Sequence, residues 1–187
     1  MTAGMEYWHV TAALMTPAVL LAAWIDWRQH RVPNWLTATI ALSGLIVQCM
    51  FNGWVGLGSG LGGLVLGFGV LIVPWAMHGM GAGDVKLMAG IGAWFGPWMT
   101  LVAFGLGAVL GGAIAVVMIL LAGKTQLAMA NLSTIGYKLT HKELLFTDFA
   151  SAKGFGQTSQ LLPYGVPLTI GSLAILAAQV AWGWPVG

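Results

Sequence analysis

The feature that most constrains this chain is the stretch 85–122, which is apolar apart from Lys86 and a few small or polar residues. As one α-helix these 38 residues would be about 57 Å long at 1.5 Å per residue, nearly twice the hydrocarbon core of a bilayer. Gly96 and Pro97 interrupt the stretch, and proline ends or kinks a helix. The sequence therefore predicts two membrane helices here, a short one over 85–95 and a longer one over 98–122.

The composition agrees with a membrane protein. Only 6% of the residues are charged and 58% are hydrophobic, whereas a soluble domain carries about 25% charged residues. Four further apolar stretches are long enough to be membrane helices, at 7–25, 35–51, 55–77 and 161–182. We therefore predict an all-α integral membrane protein with six transmembrane helices in one membrane-embedded domain, residues 1–187. The net charge of +2 is too small to indicate nucleic-acid binding.

Basic residues predict which side of the membrane each loop occupies. If all six helices cross, the loops at 26–34, 78–84 and 123–160 share one side. All seven lysines and arginines then collect there: Arg28, Arg31, Lys86, Lys124, Lys138, Lys142 and Lys153. The positive-inside rule makes that side the cytoplasm. Both termini are then expected on the outer face, and the role of loop 123–160 is not assigned.

Tryptophans predict where helices leave the membrane, and glycines predict where helices pack together. Tryptophan is enriched where a helix leaves the membrane, and all ten lie near predicted helix ends. The predicted cytoplasmic group is Trp24, Trp27, Trp35 and Trp75, and the outer group is Trp8, Trp54, Trp94, Trp98, Trp182 and Trp184. Glycines at small-xxx-small spacing in 56–69, 92–96 and 107–111 predict close packing between helices of the same chain.

Two of the five acids, Asp26 and Asp84, terminate apolar helices on the predicted cytoplasmic side. An ionisable group at such a boundary is costly to bury and is a functional candidate. The alternative is an interfacial acid paired with Arg28 or Lys86. Two aspartates brought close together cannot both ionise readily, so one can keep its proton while the other activates water. Such a pair could hydrolyse a peptide bond.

Three motifs stand in order along the chain, "DWRQHRVPN" at 26–34, "GAGDVK" at 81–86 and "LPYGVPLTIG" at 162–171. They resemble motifs of the type IV prepilin peptidases, a family of membrane aspartic proteases. "GAGDVK" at 81–86 resembles the GxGD signature, and "DWRQHRVPN" at 26–34 is similar to the family's first aspartate motif. "LPYGVPLTIG" at 162–171 resembles the Pro-aromatic-Gly motif that begins the last helix. The matching positions beside the two aspartates are Gly81, Gly83, Lys86, Arg28, Pro33, Asn34, Pro163, Tyr164 and Gly165.

The resemblance implies cleavage of prepilin or pseudopilin leader peptides at the cytoplasmic face of the bacterial inner membrane. Asp26 and Asp84 would be the catalytic pair, without a metal or cofactor. Some members also methylate the new N-terminus with S-adenosylmethionine. Larger members carry an N-terminal domain with paired CxxC motifs, whereas the only cysteine here is Cys49. We therefore expect the short branch that serves Flp/Tad-type pili, and methyltransferase activity is left open.

Other functions are compatible with parts of the pattern. A proton-coupled transporter or channel would use Asp26 and Asp84 as a relay, and would place acids near mid-membrane. A membrane scaffold would need only the glycine-rich helices. His30 and His78 flank the two aspartate motifs, and we expect interfacial residues rather than metal ligands because no third ligand accompanies them. The expected partners are a prepilin and membrane lipid; the sequence does not specify the oligomeric state.

Overall fold

The computed structural model describes residues 2–29, 32–76, 81–121 and 165–182. These ranges form four α-helices and contain no β-strand. The helices are α1 (Thr2–Gln29), α2 (Asn34–Ala76), α3 (Ala82–Leu121) and α4 (Gly165–Trp182). All four are long and apolar enough to cross a membrane. The described part of the chain is therefore all-helical, and α1 is longer at both ends than the predicted 7–25.

The chain reverses direction within α2, at Gly53. This residue has a φ of 59°, in the left-handed region that glycine adopts without a steric penalty. Before the break, α2 runs parallel to the first half of α3: Thr37 packs on Gly90 and Gly44 on Trp94. After the break it runs antiparallel to the same half: Gly60 packs on Ala93, Gly63 on Gly92 and Gly67 on Met88. The break lies between the predicted helices 35–51 and 55–77.

The chain reverses again within α3, at Gly96, which has a φ of 73° and is followed by Pro97. The second half of α3 packs antiparallel against α4. The close pairs are Ala103 with Gly171, Gly107 with Leu168, and Gly111 with Pro167. The second half therefore returns towards the start of α4, and the break lies between the predicted helices 85–95 and 98–122.

Glycines bring the helix backbones into direct contact, as the small-xxx-small spacing predicted. A Cβ added to Gly63 would lie 2.0 Å from the carbonyl oxygen of Gly92, and one added to Gly92 would lie 2.1 Å from that of Gly63. No side chain fits at either position. Much of the contact between α2 and α3 is thus made by backbone atoms. In a membrane, the van der Waals attraction between such closely packed helices stabilises the bundle.

The two reversals give the bundle two distinct ends. The motif end contains Asp26 in the last turn of α1 and the starts of α2, α3 and α4. The reversal end contains Gly53, Gly96 and the Tyr7 side chain near the start of α1, whose hydroxyl donates to the carbonyl oxygen of Trp94. The described residues of the three sequence motifs therefore lie at one end of the bundle.

Two tryptophans contradict the prediction that all ten lie in interfacial belts. Trp8 and Trp94 are only 8% and 1% exposed. The indole N–H of Trp94 donates to the carbonyl oxygen of Ile40 at 2.8 Å, so this ring packs inside the bundle. The exposed tryptophans are Trp24, Trp27, Trp35, Trp54, Trp98 and Trp182, and Trp184 lies outside the described residues.

Candidate active site

Asp26 and Asp84 come together although 58 positions separate them in the sequence. Asp26 lies in the last turn of α1 and Asp84 in the first turn of α3, and each side chain is 5% exposed. A Cβ added to Gly165 would lie 2.7 Å from Oδ2 of Asp26 and 3.3 Å from Oδ1 of Asp84. Because both distances start from one point, the two oxygens are at most about 6 Å apart (2.7 Å plus 3.3 Å).

Gly165, the first residue of α4, completes the surroundings of the two carboxyl groups. Any side chain here would push into Asp26, so glycine is needed for the start of α4 to come this close. The backbone amides of Gly81 and Gly165 lie beside the Asp84 carboxyl group. The hydroxyl of Thr169, itself buried, donates to the Gly165 carbonyl at 2.7 Å and holds the first turn of α4.

The backbone before Asp84 packs tightly against the segment that leads into α2. The amide of Asp84 donates to the carbonyl of Gly81 at 3.2 Å, which closes the turn at the start of α3. A Cβ added to Gly83 would lie 3.0 Å from the Val32 nitrogen and 3.2 Å from the Val32 Cβ. Gly83 therefore allows Val32, which is 6% exposed, to cover this turn. Both glycines of the GxGD motif are thus in the wall of the site.

Lys86 and Asn34 join the two aspartate motifs. The ammonium Nζ of Lys86 donates to Oδ1 of Asn34 at 2.7 Å, near the exposed surface. Pro33 directly precedes α2, and its carbonyl accepts from the backbone amides of Leu36 and Thr37 at 3.2 Å, which closes the first turn of that helix. The Pro-Asn pair therefore both starts a helix and contacts the second motif.

Arg28 is directed away from this arrangement. Its side chain is exposed, and its guanidinium carbon lies 4.9 Å from the centre of the Trp24 ring. This is a cation–π contact at a helix end, where an arginine can reach lipid headgroups. The predicted positions Pro163, Tyr164, His30, His78 and Arg31, and loop 123–160, lie outside the described residues.

Val32 and Thr169 were not identified from the sequence. Val32 is one apolar residue among many, and only its position just before Pro33 distinguished it. Thr169 lies four residues after Gly165, the spacing at which a hydroxyl can reach a carbonyl one turn back. Within the described ranges, no three His, Cys, Asp or Glu side chains come together in a way that could hold a metal ion.

Taken together, these features define an all-helical membrane protein with a buried pair of carboxyl groups at one end of its bundle. The model of the type IV leader peptidase family matches residues 13–116, more than half of the chain and a range that includes both aspartates. The chain belongs to the type IV leader peptidase family.

Relatives of known name agree with the family. A prepilin leader peptidase/N-methyltransferase of Aeromonas hydrophila is 37% identical over 102 residues, which cover 50% of this chain and 34% of the relative. The protein of that name from Escherichia coli strain K12 is 36% identical over 135 residues, which cover 64% of this chain and 59% of the relative. This chain thus spans only part of the length of these relatives. No solved structure matches. The apolar helices and bacterial relatives indicate a multi-pass bacterial membrane protein.

Proposed function

We propose that this protein is an aspartic endopeptidase that cleaves leader peptides from type IV prepilins, with Asp26 and Asp84 as its catalytic pair. The observation that supports the proposal is the pair itself: two buried carboxyl groups whose nearest oxygens are at most about 6 Å apart (2.7 Å plus 3.3 Å). Both residues lie within the range matched by the family model. One water molecule can contact two carboxyl groups at this separation.

The chemistry follows from the two protonation states of such a pair. The ionised carboxylate takes a proton from water, and the water oxygen bonds to the carbonyl carbon of the scissile peptide. The protonated partner gives its proton to the carbonyl oxygen, which forms a diol. When the C–N bond breaks, the leaving nitrogen takes the proton first removed from water. One diol hydroxyl then returns a proton to the other carboxylate.

The position of the pair favours a peptidase over a proton-coupled transporter. A relay across the membrane needs acids or broken helices near the membrane centre. Asp26 and Asp84 instead belong to the last turn of one helix and the first turn of another. A peptide arriving at the membrane surface can reach that end of the bundle.

We further propose that the bundle crosses the membrane six times, with the motif end in the cytoplasm and both termini outside. The reversals at Gly53 and Gly96 support six crossings, and the placement of the basic residues supports the orientation. The test is labelling of single cysteines from outside intact cells in a Cys49→Ala background. Val186→Cys should be labelled and Lys153→Cys should not. Outside labelling of Lys153→Cys would overturn this topology.

Methylation of the product is a separate matter, because it needs a site for S-adenosylmethionine. Among the described residues, a partly open cavity of about 410 Å³ lies at the reversal end, and its lining carries no charged side chain. S-adenosylmethionine bears a sulfonium, an ammonium and a carboxylate, so this cavity does not fit it, and we derive no methyl-transfer step. Mass spectrometry of the product's new N-terminus will show whether a methyl group is added.

The experiment that tests the proposal is co-expression with candidate prepilins, Flp-type prepilins first and other type IV prepilins second. Cleavage is followed by the gel mobility of the prepilin and the mass of the product. Asp26→Asn and Asp84→Asn should each abolish cleavage, since an amide keeps the shape but cannot exchange the proton. The double variant should be no worse than either single one, because the two residues act as a unit.

Glu6→Gln is the matched control. Glu6 is an exposed acid on the same helix as Asp26, at the opposite end of the bundle, so its loss should leave cleavage unchanged. Wild-type cleavage by either aspartate variant, present in the membrane at normal abundance, would contradict the assignment of the pair. Cleavage of other type IV prepilins but not of Flp-type ones would refute only the Flp substrate.

A further inference from the structure

We propose that the hydrogen bond between Lys86 and Asn34 is a tether that holds the first motif against the second, so that Lys86 is a positioning residue and does not contact substrate. The inference rests on the proposed peptidase function. It gives one physical reason for two features of the sequence. These are a Pro-Asn pair seven and eight residues after Asp26 and a lysine two residues after Asp84.

The contact joins two helix starts. Asn34 is the first residue of α2, and Lys86 lies one turn into α3. Side chains on a helix lean towards its N-terminus, so Lys86 extends back along α3 to the level of its first turn. There Nζ meets Oδ1 of Asn34 at 2.7 Å. The bond therefore fixes the separation of the two helix starts at the level of Asp84.

The tether lies beside a close backbone contact at the site. Val32 is two residues before Asn34, and its nitrogen would be 3.0 Å from a Cβ on Gly83. Gly83 directly precedes Asp84, so a shift of Val32 would reach the catalytic turn through one peptide bond. If the start of α2 drifts away from α3, Val32 no longer covers this turn. The tether thus acts on Asp84 through the backbone.

The choice of side chains also indicates a positional role. A helix N-terminus carries partial positive charge, so a lysine ammonium beside the first residue of α2 gains nothing from the helix dipole. Its acceptor is a neutral amide oxygen, which pairs less strongly than a carboxylate would. A contribution to the stability of the fold is therefore a poor explanation for the Lys86–Asn34 hydrogen bond. The need for a fixed distance between the two motifs explains this hydrogen bond better.

The test is a double-mutant cycle in the prepilin cleavage assay, using Lys86→Met, Asn34→Leu and the combination. Each single variant should lower kcat by about 10- to 100-fold, since a small misplacement of a catalytic group has effects of this size. KM should stay within about twofold, and the double variant should be no worse than either single one. Asn34→Asp, which keeps an acceptor for Lys86, should restore most of the activity that Asn34→Leu loses.

Other results would overturn the tether. If Lys86 bound substrate, Lys86→Met would raise KM while Asn34→Leu would not. If Lys86 acted only through its charge, Asn34→Leu would be active. Thr39→Val, an exposed change one turn into the same helix, is the control and should cleave normally. The peptidase proposal is judged separately, by whether the wild type cleaves and the aspartate variants do not.

A second measurement needs no cleavage at all. In a Cys49→Ala background, the Val32→Cys variant should react slowly with a membrane-permeant maleimide, because Val32 is 6% exposed. Adding Lys86→Met should speed this reaction at least severalfold, and adding Thr39→Val should not. An unchanged labelling rate in Lys86→Met would show that the hydrogen bond does not hold the segment in place.

Discussion

The motif end and the reversal end of the bundle both bury polar side chains, but these side chains have different partners. At the reversal end, the carbonyl of Trp94 lies in the last turn before the break at Gly96. It accepts hydrogen bonds from the hydroxyl of Tyr7 and from Nε2 of Gln48, the latter at 3.0 Å. At the motif end, two carboxyl groups come close together around Gly165, and Oδ1 of Asp84 has no hydrogen-bond partner within the described ranges.

This difference separates polar groups that stabilise the fold, at the reversal end, from the carboxyl groups that are candidates for catalysis, at the motif end. A broken membrane helix leaves backbone carbonyls without their usual donors, and in lipid each must find another. Tyr7 and Gln48 supply those donors, so their removal should cost stability. Asp84 also lies beside two backbone amides, those of Gly81 and Gly165, but the close approach of its carboxyl group to that of Asp26 is suited to chemistry rather than to holding a helix break. Changes at the two ends should therefore have opposite signatures, loss of cleavage at one and loss of stability at the other.

The largest effect is expected at Gly165. The Cβ of Gly165→Ala would lie 2.7 Å from Oδ2 of Asp26, so the carboxyl group must move. We expect cleavage to fall about 100-fold, with a free energy of unfolding within about 1 kcal/mol of the wild type. Prepilin cleavage and thermal unfolding in detergent measure the two. Gly112→Ala, where an added Cβ meets nothing within 4 Å, is the control, and equal activity of the two variants would contradict the prediction.

A smaller loss of cleavage is expected from Gly83→Val. The new side chain would press on the Val32 backbone, 3.0 Å from the added Cβ, and disturb the turn before Asp84. Cleavage should fall about tenfold while membrane insertion stays normal. Gly69→Val, at an exposed α2 position with nothing within 4 Å, should cleave normally. Full cleavage by Gly83→Val would show that this glycine is incidental.

At the reversal end, Gln48→Leu should lower stability and spare the chemistry. It leaves the buried Trp94 carbonyl with one donor fewer and also removes the acceptor of Asn52, whose amide donates to Oε1 of Gln48 at 3.2 Å. Losing buried hydrogen bonds of this kind costs about 1–3 kcal/mol. Unfolding in detergent should show that loss, while cleavage per folded molecule stays at the wild-type level. Normal stability with impaired cleavage in Gln48→Leu would contradict the assignment of the reversal end to stability and not to catalysis.

The smallest effect is expected for Tyr7→Phe, which removes one donor and keeps the ring that packs against Trp8 and Phe51. A single hydrogen bond contributes about 0.5–1.5 kcal/mol. Because Tyr7 and Gln48 share one acceptor, the losses of the double variant should not add. Strict additivity of the two unfolding free energies would indicate that the carbonyl does not couple them.

Several features of this protein followed from the sequence because they depend on local chemistry. The stretch 85–122 is too long for one membrane crossing, and Gly96 and Pro97 together are its strongest helix-breaking signal, so the interruption there was predictable. The same is true of the reversal near Gly53, since two apolar stretches flank it. The predicted interior packing of the glycine run is confirmed, because small residues let backbones approach in any helical membrane bundle. The pairing of Asp26 with Asp84 was predicted in outline, from two acids at helix ends on one side.

Tertiary structure decided what depends on contacts between distant segments. Trp94 resembled an interfacial ring because its distance from a helix end was all the sequence offered. In the structure its ring is buried, and its carbonyl, just before the break at Gly96, accepts from Tyr7 and Gln48. Nor could the sequence show that Val32 covers the turn before Asp84, or that Lys86 reaches Asn34 52 positions earlier in the chain. Local patterns in the sequence indicate where helices break. Which group each side chain contacts depends instead on which distant segments of the chain pack side by side, and only the tertiary structure shows that.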